Sequence, residues 1–434
     1  MTDNIDGIVR FYQKRVFLSI FIGYSLYILC RKSFSFVIPY IQHEEHLSKE
    51  DLGKIVSALN LAYAISKFAF GILSDNVGAT LLFCSGLITT SASVLGFAFV
   101  KDVKMFTLLW FLNGMGQGCG WPACSKLLRK WFQKEQFGTW WSILSASMNI
   151  TGVITPIFLQ FFTLSNGGWR SFMFFCGILS IAWASLCVFT VIESPEIVGL
   201  PSFSDNNPNS AAAKKKKDDN LVGAKKSTLS DLIYSPFLWL LSFYNLIFFA
   251  AKTSFENWIQ LLIVDEKALT AGHAVAFISA FETGGMIGNF ATGYLTDICV
   301  SKMPNSKSSP RMIVVLVYMV ASVLALQTLT TSNAALPLVA FVLGCSLYGN
   351  INLFGLLATE SAPVYLSGTS HSIVSLTANI GAVIAGYPFS VLAHSYGWLG
   401  VFTLLEIGCA ACLILALVTK NFCTKIGVSS VKED

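Results

Sequence analysis

The sequence predicts an all-α membrane protein of twelve transmembrane helices, arranged as two pseudo-symmetric six-helix halves. The first observation is composition, because 54% of the 434 residues are hydrophobic and only 12% are charged. A water-soluble chain of this length needs a larger charged share to cover its surface. The second is that the apolar residues form blocks of about 20, which is the length of a helix that crosses about 30 Å of hydrocarbon. The third is an internal repeat.

The apolar blocks are expected to be helices, because a backbone that faces lipid must satisfy its own hydrogen bonds. Their approximate ranges are 14–41, 53–75, 79–100, 105–128, 137–163, 169–193, 236–263, 271–296, 311–331, 335–358, 367–393 and 397–419. Charged residues interrupt the first block and no small-residue cleavage site follows it, so we expect a retained helix rather than a signal peptide. The 11 cysteines lie in such blocks or on the expected cytosolic side, which predicts buried thiols without a disulfide framework.

The distribution of basic residues predicts that both termini face the cytosol. With this orientation 18 of the 29 Lys and Arg residues lie in cytosolic segments and six lie on the opposite side, in agreement with the positive-inside rule. One long polar segment, with the run Lys214–Lys217, predicts a flexible cytosolic linker. The predicted divisions are an N-terminal half at 1–193, this linker at 194–229, a C-terminal half at 230–419 and a cytosolic tail at 420–434.

The two halves repeat each other in sequence. At shifts of 220 to 230 residues the matched pairs include Gly114 with Gly344, Asn149 with Asn379, Tyr24 with Tyr244, and Lys32 with Lys252. Two parallel six-helix repeats resemble the architecture of the major facilitator superfamily. In that architecture the substrate site lies near the midplane, between the halves.

Five basic side chains fall within the apolar blocks, and each costs about 2.5–3.5 kcal/mol at a helix centre. They are Arg31, Lys32, Lys67, Lys126 and Lys252. The cation of helix 4 is close enough to the cytosolic end to reach water, whereas those of helices 1, 2 and 7 are deeper. One interpretation is structural pairing with buried acids, for which Glu256, Glu282 and Glu406 are the candidates. Among these, Glu282 is a possible partner of Lys252 because helix 8 lies next to helix 7. No candidate acid obviously reaches Arg31 or Lys67. The other interpretation is a central cavity whose unpaired cations bind an anion.

An anion-binding cavity of this kind suits a phosphate ester, because arginine grips phosphate oxygens in a bidentate fork. His371 adds a donor whose charge can change near neutral pH. Further candidates are tyrosines at helical spacing from the cations, namely Tyr24, Tyr27 and Tyr63. Adjacent residues on a helix point about 100° apart, so either Arg31 or Lys32 faces the cavity squarely. For the organic part of the ligand the sequence offers Asn257, Asn350 and Asn352 without a way to rank them.

Three segments resemble the organophosphate:phosphate antiporters. These are Arg31-Lys-Ser-Phe-Ser-Phe-Val-Ile-Pro, Ala62-Tyr-Ala-Ile-Ser-Lys-Phe and Gly114-Met-Gly-Gln-Gly-Cys-Gly-Trp-Pro-Ala-Cys. The stretches Gln136-Phe-Gly-Thr-Trp-Trp-Ser and Gly368-Thr-Ser-His-Ser-Ile-Val are similar to members that carry glucose 6-phosphate. The likeness covers nearly the whole chain.

The resemblance implies exchange of glucose 6-phosphate for inorganic phosphate across the endoplasmic reticulum membrane, by rocker-switch alternating access. It also implies that Arg31 and Lys252 clasp the phosphoryl group from the two halves, with Lys67 and His371 nearby. A luminal glucose-6-phosphatase and a role in glucose homeostasis are implied as well. The chain departs from the bacterial family pattern by Lys252 in place of Arg and by Met148 in place of His. Retrieval to the endoplasmic reticulum by a dilysine tail expects two lysines, and this chain offers only Lys432.

The loop Gly71-Ile-Leu-Ser-Asp75-Asn-Val-Gly78 resembles the superfamily's 2–3 loop signature, which implies a conformational role for Asp75 and for its repeat partner Asp297. No nucleophile–base arrangement, metal-ligand cluster or nucleotide loop is evident, so neither an enzyme nor a cofactor is predicted. Two other functions stay open. The chain could be a membrane sensor that binds a sugar phosphate and signals with little transport, or an antiporter of another organic phosphate or anion.

Overall fold

The computed structural model describes residues 2–73, 77–164, 168–201, 232–303, 309–362, 366–420 and 424. Within these residues the chain forms twelve long helices. They are α1 (Thr2–Glu44), α2 (Lys49–Leu73), α3 (Ala79–Phe97), α4 (Val103–Trp131), α5 (Lys134–Leu164), α6 (Gly168–Thr190), α7 (Pro236–Leu261), α8 (Ala271–Lys302), α9 (Arg311–Thr331), α10 (Leu336–Ser361), α11 (Ser367–Ile384) and α12 (Tyr387–Val418). Eight of them are long and apolar enough to cross a membrane by length and composition alone.

The helices confirm the predicted fold class, and each predicted block overlaps a helix. The last boundary differs: α11 ends at Ile384, and Gly397 interrupts α12 with a φ of 73° that favours glycine. The predicted blocks 367–393 and 397–419 are therefore divided at Gly397, inside α12, and not at Tyr387, where α12 begins. Most of the predicted linker, including Lys214–Lys217, and most of the tail lie outside the described residues, so the domain divisions stay a prediction.

The sequence repeat reappears as a repeat in packing. A Cβ added at Gly114 on α4 would lie 2.3 Å from the backbone oxygen of Leu59 on α2. A Cβ added at Gly344 on α10 would lie 1.9 Å from the backbone oxygen of Phe281 on α8. Small residues let helix backbones approach this closely. The aligned glycines thus make the same helix contact in both halves, which explains why the sequence pairs them.

Replacing Gly344 with alanine is expected to destabilise the C-terminal half by about 1–3 kcal/mol, because backbone atoms of α8 cannot yield as a flexible side chain would. Gly293→Ala is the matched control, since a Cβ there meets nothing within 4 Å. Thermal unfolding in detergent should show a lower Tm for the first variant only. Equal Tm values for the two variants would contradict the packing argument.

The hydrogen bonds that join the two halves among the described residues all lie at mid-height or toward the end opposite the chain termini. On one side α2 meets the α11–α12 junction, where the Asn60 amide donates to the Ala382 oxygen at 2.9 Å. On the other side Ser35 of α1 donates to the Asn257 side chain of α7 at 2.6 Å, and Ser279 of α8 donates to the Val153 oxygen of α5 at 3.4 Å. The space between the halves therefore opens toward the termini.

The cysteines agree with the expectation of buried, unlinked thiols. All ten that lie in the described ranges are free, and eight of them are buried. Cys30 contacts the Ser180 hydroxyl at 3.2 Å within the N-terminal half. Cysteine here acts as a small apolar residue in the helix packing.

Candidate functional site

A cavity of about 570 Å³ lies between the halves and is lined by α1, α2, α4 and α5 on one side and by α7, α8, α10 and α11 on the other. It brings together seven of the predicted substrate-binding residues. They are Tyr24, Arg31, Lys32, Tyr63, Lys67, Lys252 and His371. Residues from both halves thus converge at mid-height, as predicted for a site that both halves can reach.

The N-terminal side of the cavity carries two cations grouped around one tyrosine. The Arg31 guanidinium carbon lies 4.6 Å from the centre of the Tyr63 ring, and the Lys67 amine lies 5.6 Å from it. Within the described residues neither cation has a carboxylate partner within ion-pair distance. We call these three residues the basic face. The ring stabilises both charges by cation–π contact, yet it leaves their hydrogen-bond donors available to an anion.

The opposite side of the cavity carries an ion-pair network of two lysines, two glutamates and a tyrosine. The Lys252 amine lies 3.0 Å from Glu256 Oε2, and the Lys32 amine lies 3.1 Å from Glu256 Oε1 while also bonding to Glu282. The Tyr348 hydroxyl, which has one hydrogen to share, lies 3.1 Å from Glu256 Oε1 and 3.0 Å from Glu282 Oε2. We call these five residues the network. Because Lys32 belongs to α1 and the glutamates to α7 and α8, the network ties the two halves together.

The two sequence interpretations therefore each hold for different cations. Lys32 and Lys252 are paired with carboxylates, whereas Arg31 and Lys67 are not so paired among the described residues. The expectation that Glu282 neutralises Lys252 is wrong, because Glu256 lies one turn from Lys252 on the same helix and Glu282 bonds to Lys32. The third candidate acid, Glu406, accepts a hydrogen bond from Thr330 instead.

The charges around the cavity do not cancel. Four cations (Arg31, Lys32, Lys67 and Lys252) and Glu256 line the cavity, and Glu282 is buried behind it as the partner of Lys32, which leaves a net formal charge of +2 for these described residues. Desolvated charge of this size is unfavourable in a membrane protein unless a counterion occupies the space. The cavity is thus suited to a dianion.

His371 lies on α11 beside the basic face and is open to the cavity. Its Nδ1 is 3.2 Å from the Gly355 oxygen and its Nε2 is 3.3 Å from the Ser375 hydroxyl. These contacts orient the ring at the C-terminal wall. The Gly355 carbonyl can only accept, so Nδ1 carries the hydrogen, and Nε2 of the neutral ring accepts from Ser375. Only the doubly protonated ring therefore has a second donor for a ligand.

Tyr27, one of the predicted substrate contacts, lies outside the cavity. It is fully buried in the N-terminal half, where its hydroxyl donates to the Phe83 oxygen at 2.6 Å. Tyr24, three residues earlier, lines the cavity and packs its ring 5.1 Å from that of Trp121. The spacing of seven and four residues from Tyr24 and Tyr27 to Arg31 suggested one shared face, but the helix turns Tyr27 toward α3 instead.

The predicted conformational pair is described only in part, because Asp75 lies outside the described residues. Asp297 is exposed near the end of α8, where it accepts a hydrogen bond from Arg311 at 3.0 Å. Arg311 also bonds to Glu360 through Nε at 2.8 Å and through a second nitrogen at 2.9 Å. This cluster connects α8, α9 and α10 within one half, so a conformational role for Asp297 stays a prediction.

Sequence reasoning missed Tyr348 and the aromatic pair Trp121 and Trp141. No charge or repeat distinguishes Tyr348, which aligns with a glycine at the shift of 230. Its importance follows from bridging both glutamates. Both tryptophans lie within segments that carry the family resemblance, but their contact at 4.6 Å depends on the packing of α4 against α5.

Comparisons with known proteins agree with the fold. Residues 20–386 match the family model described as Major Facilitator Superfamily. The chain is 31% identical to the "Probable hexose phosphate transport protein" of Chlamydia trachomatis, over 95% of this chain and 92% of that protein. It is 27% identical to the "Membrane sensor protein UhpC" of Escherichia coli, over 97% and 95%, and 26% identical to the "Glycerol-3-phosphate transporter" of Bacillus subtilis, over 96% and 94%.

Solved structures share the architecture at low sequence identity. A bacterial homologue of the human lysosomal transporter Spinster, crystallised inward-facing and unoccupied, has a TM-score of 0.73 and 14% identity, over 95% of this chain and 96% of its own. The nucleoside transporter NupG has a TM-score of 0.71 and 11% identity, over 94% and 99%. These similarities concern the fold alone.

Proposed function

This chain belongs to the major facilitator superfamily, and we propose that it exchanges glucose 6-phosphate for inorganic phosphate by alternating access through the central cavity. The observation that carries the proposal is the basic face, where Arg31 and Lys67 have no carboxylate partner among the described residues. Phosphate esters carry a charge of about −1.5 to −2 at pH 7. That charge matches the net +2 around the cavity.

In the proposed cycle the phosphoryl group enters from the open, termini end and binds first to the basic face. Arg31 donates two parallel hydrogen bonds to phosphate oxygens and Lys67 adds a third contact. The bound dianion then competes with Glu256 for Lys252, whose amine lies 4.9 Å from the Tyr348 ring and 3.0 Å from that carboxylate. When Lys252 moves toward the phosphoryl group, α7 of the C-terminal half contacts a ligand that the N-terminal half already holds.

The network also explains why an empty carrier would exchange poorly. Without a dianion the four cations repel one another across the cavity, and only the two glutamates offset them. A bound phosphoryl group supplies the missing negative charge, so closure around a ligand is favoured over closure without one. Exchange is then obligatory, because the cavity can change its open side in either direction only with an anion bound.

We further propose the endoplasmic reticulum membrane as the location, with both termini in the cytosol. The location rests on the sequence resemblance, and the orientation rests on the three-to-one excess of basic residues on the side of the termini. A luminal glucose-6-phosphatase would use the delivered ester and return phosphate for the next exchange. The coarser statement, a multi-pass membrane transporter, depends on neither proposal.

A second candidate function is a membrane sensor, favoured by the 27% identity to a protein named as one. A sensor would keep the basic face and bind the sugar phosphate without exchanging it. Labelled phosphate counterflow in proteoliposomes separates the two functions. Rapid entry of labelled phosphate against unlabelled internal phosphate supports transport, whereas saturable binding without counterflow would leave the sensor as the function.

A further inference from the structure

The asparagines that line the cavity divide into two groups by what their amides contact. Four of the seven hydrogen-bond to protein groups of the described chain, and these are Asn60, Asn149, Asn245 and Asn257. The other three, Asn289, Asn352 and Asn379, make no such bond with any residue that the structure describes. Asn352 is exposed, and Asn289 and Asn379 are half-buried. Because all three line the cavity, the donors and acceptors of these open amides are available to a ligand.

Two of the open amides lie on the mouth side of the network. On α8, Asn289 follows Glu282 by seven residues, which is about 10 Å along the helix toward the termini end. On α10, Asn352 follows Tyr348 by four residues in the same direction. Of the three asparagines that the sequence offered without ranking, Asn352 alone both lines the cavity and makes no hydrogen bond to a described residue. Asn257 bonds to Ser35, and Asn350 is fully buried outside the cavity lining.

The N-terminal half presents aromatic rings at a similar height. Tyr24 precedes Arg31 by seven residues on α1, which again is about 10 Å toward the termini end. Its ring packs on Trp121 at 5.1 Å, and Trp121 packs edge-on against Trp141 at 4.6 Å. All three line the cavity. Their apolar faces suit the C–H face of a pyranose ring, while amides on the facing wall suit its hydroxyls.

We infer that Trp121, Trp141, Asn289 and Asn352 form a sugar-ring subsite, separate from the basic face that binds the phosphoryl group. This inference rests on the proposed function and adds the orientation of the substrate. The phosphoryl group lies deep, at Arg31, and the ring extends toward the mouth between the aromatic wall and the two amides. The subsite selects hexose phosphates over shorter phosphate esters, and inorganic phosphate does not reach it.

The test compares two exchanges by the same purified protein in proteoliposomes: phosphate for phosphate, and glucose 6-phosphate for phosphate. In Asn352→Ala, and likewise in Asn289→Ala, the KM for glucose 6-phosphate should rise about 3- to 10-fold, the effect of one lost neutral hydrogen bond. Phosphate self-exchange should stay unchanged and so reports that each variant is folded. Glycerol 3-phosphate, which has no ring, should be affected less than the hexose ester.

A second variant pair tests the aromatic wall. Trp121→Leu should raise the KM for glucose 6-phosphate in the same way, whereas Trp239→Leu is the matched control because Trp239 is 54% exposed on α7 outside the cavity lining. Equal loss of both exchanges in the asparagine variants, or no change in either, would overturn the subsite. Wild-type protein that exchanges neither anion would instead overturn the proposed function, so the two failures are distinguishable.

Discussion

Replacing Arg31 with alanine is expected to abolish exchange of both phosphate and glucose 6-phosphate while leaving the protein folded. Arg31 supplies the bidentate donor of the basic face, and its visible contact within the described chain is the Tyr63 ring at 4.6 Å rather than a carboxylate. Its removal therefore leaves no described buried carboxylate without its ion-pair partner. Loss of two charge-assisted hydrogen bonds should lower transport about 100-fold or more. Initial rates of labelled phosphate counterflow measure this directly.

Arg31→Lys separates charge from geometry, because lysine keeps the charge and loses the planar fork. We expect it to retain only a small part of the activity. Lys54→Ala is the control for loss of a cation, since Lys54 pairs with Asp51 at an exposed helix start outside the cavity lining. Full activity in Arg31→Lys would contradict bidentate binding. Misfolding of Arg31→Ala, seen as a lowered Tm, would show that Arg31 is structural.

Replacing Glu256 with glutamine should separate phosphate affinity from transport rate. Lys252 loses its carboxylate partner, whereas Lys32 keeps Glu282. The freed Lys252 amine then binds the phosphoryl group in the resting state, which should tighten phosphate binding about 10-fold through one charge-assisted contact. The exchange rate should fall at least about 10-fold as well, because no carboxylate competes for Lys252 and release of the phosphoryl group is slowed. Calorimetry in detergent measures the Kd, and counterflow measures the rate.

The matched control for Glu256 is Glu406→Gln, since Glu406 is also an acid at membrane depth but contacts Thr330. It should change neither affinity nor rate. The double variant Glu256→Gln with Lys252→Met should return phosphate affinity toward the wild-type value, because the freed cation is removed together with its partner. Unchanged Kd and unchanged rate in Glu256→Gln would remove the network from the mechanism.

The fold was predictable because hydrocarbon imposes a simple rule on helix length and composition. The blocks, the repeat and the glycine pair Gly114 and Gly344 all follow from that rule and from close helix packing. Two of the helices that fall below the threshold for spanning by composition, α2 and α8, carry polar residues that line the cavity, among them Lys67 on α2 and Asn289 on α8. Their polarity reflects the site rather than a failure of the pattern.

The composition of the site was predictable, but its pairing was not. Cations at membrane depth are costly, so their presence in an apolar block indicates a site. This is why Arg31, Lys67 and Lys252 could be identified from the sequence. Which acid pairs with which cation depends on how helices of different halves are aligned along their axes. The spacing of residues in the sequence does not contain that alignment. The same reason explains why Tyr27 was placed in the cavity: its spacing from Arg31 fits a shared helix face, but its side chain packs toward α3. It also accounts for Tyr348, which only the packed structure places between two carboxylates.

The central claim is that one cavity carries a sugar phosphate one way and phosphate the other. Uptake of labelled glucose 6-phosphate into proteoliposomes, with and without phosphate inside, tests it most directly. We predict rapid uptake that depends on internal phosphate, with one phosphate released for each ester taken up. Uptake of equal rate into phosphate-free vesicles, or no uptake although phosphate counterflow proceeds, would contradict the account.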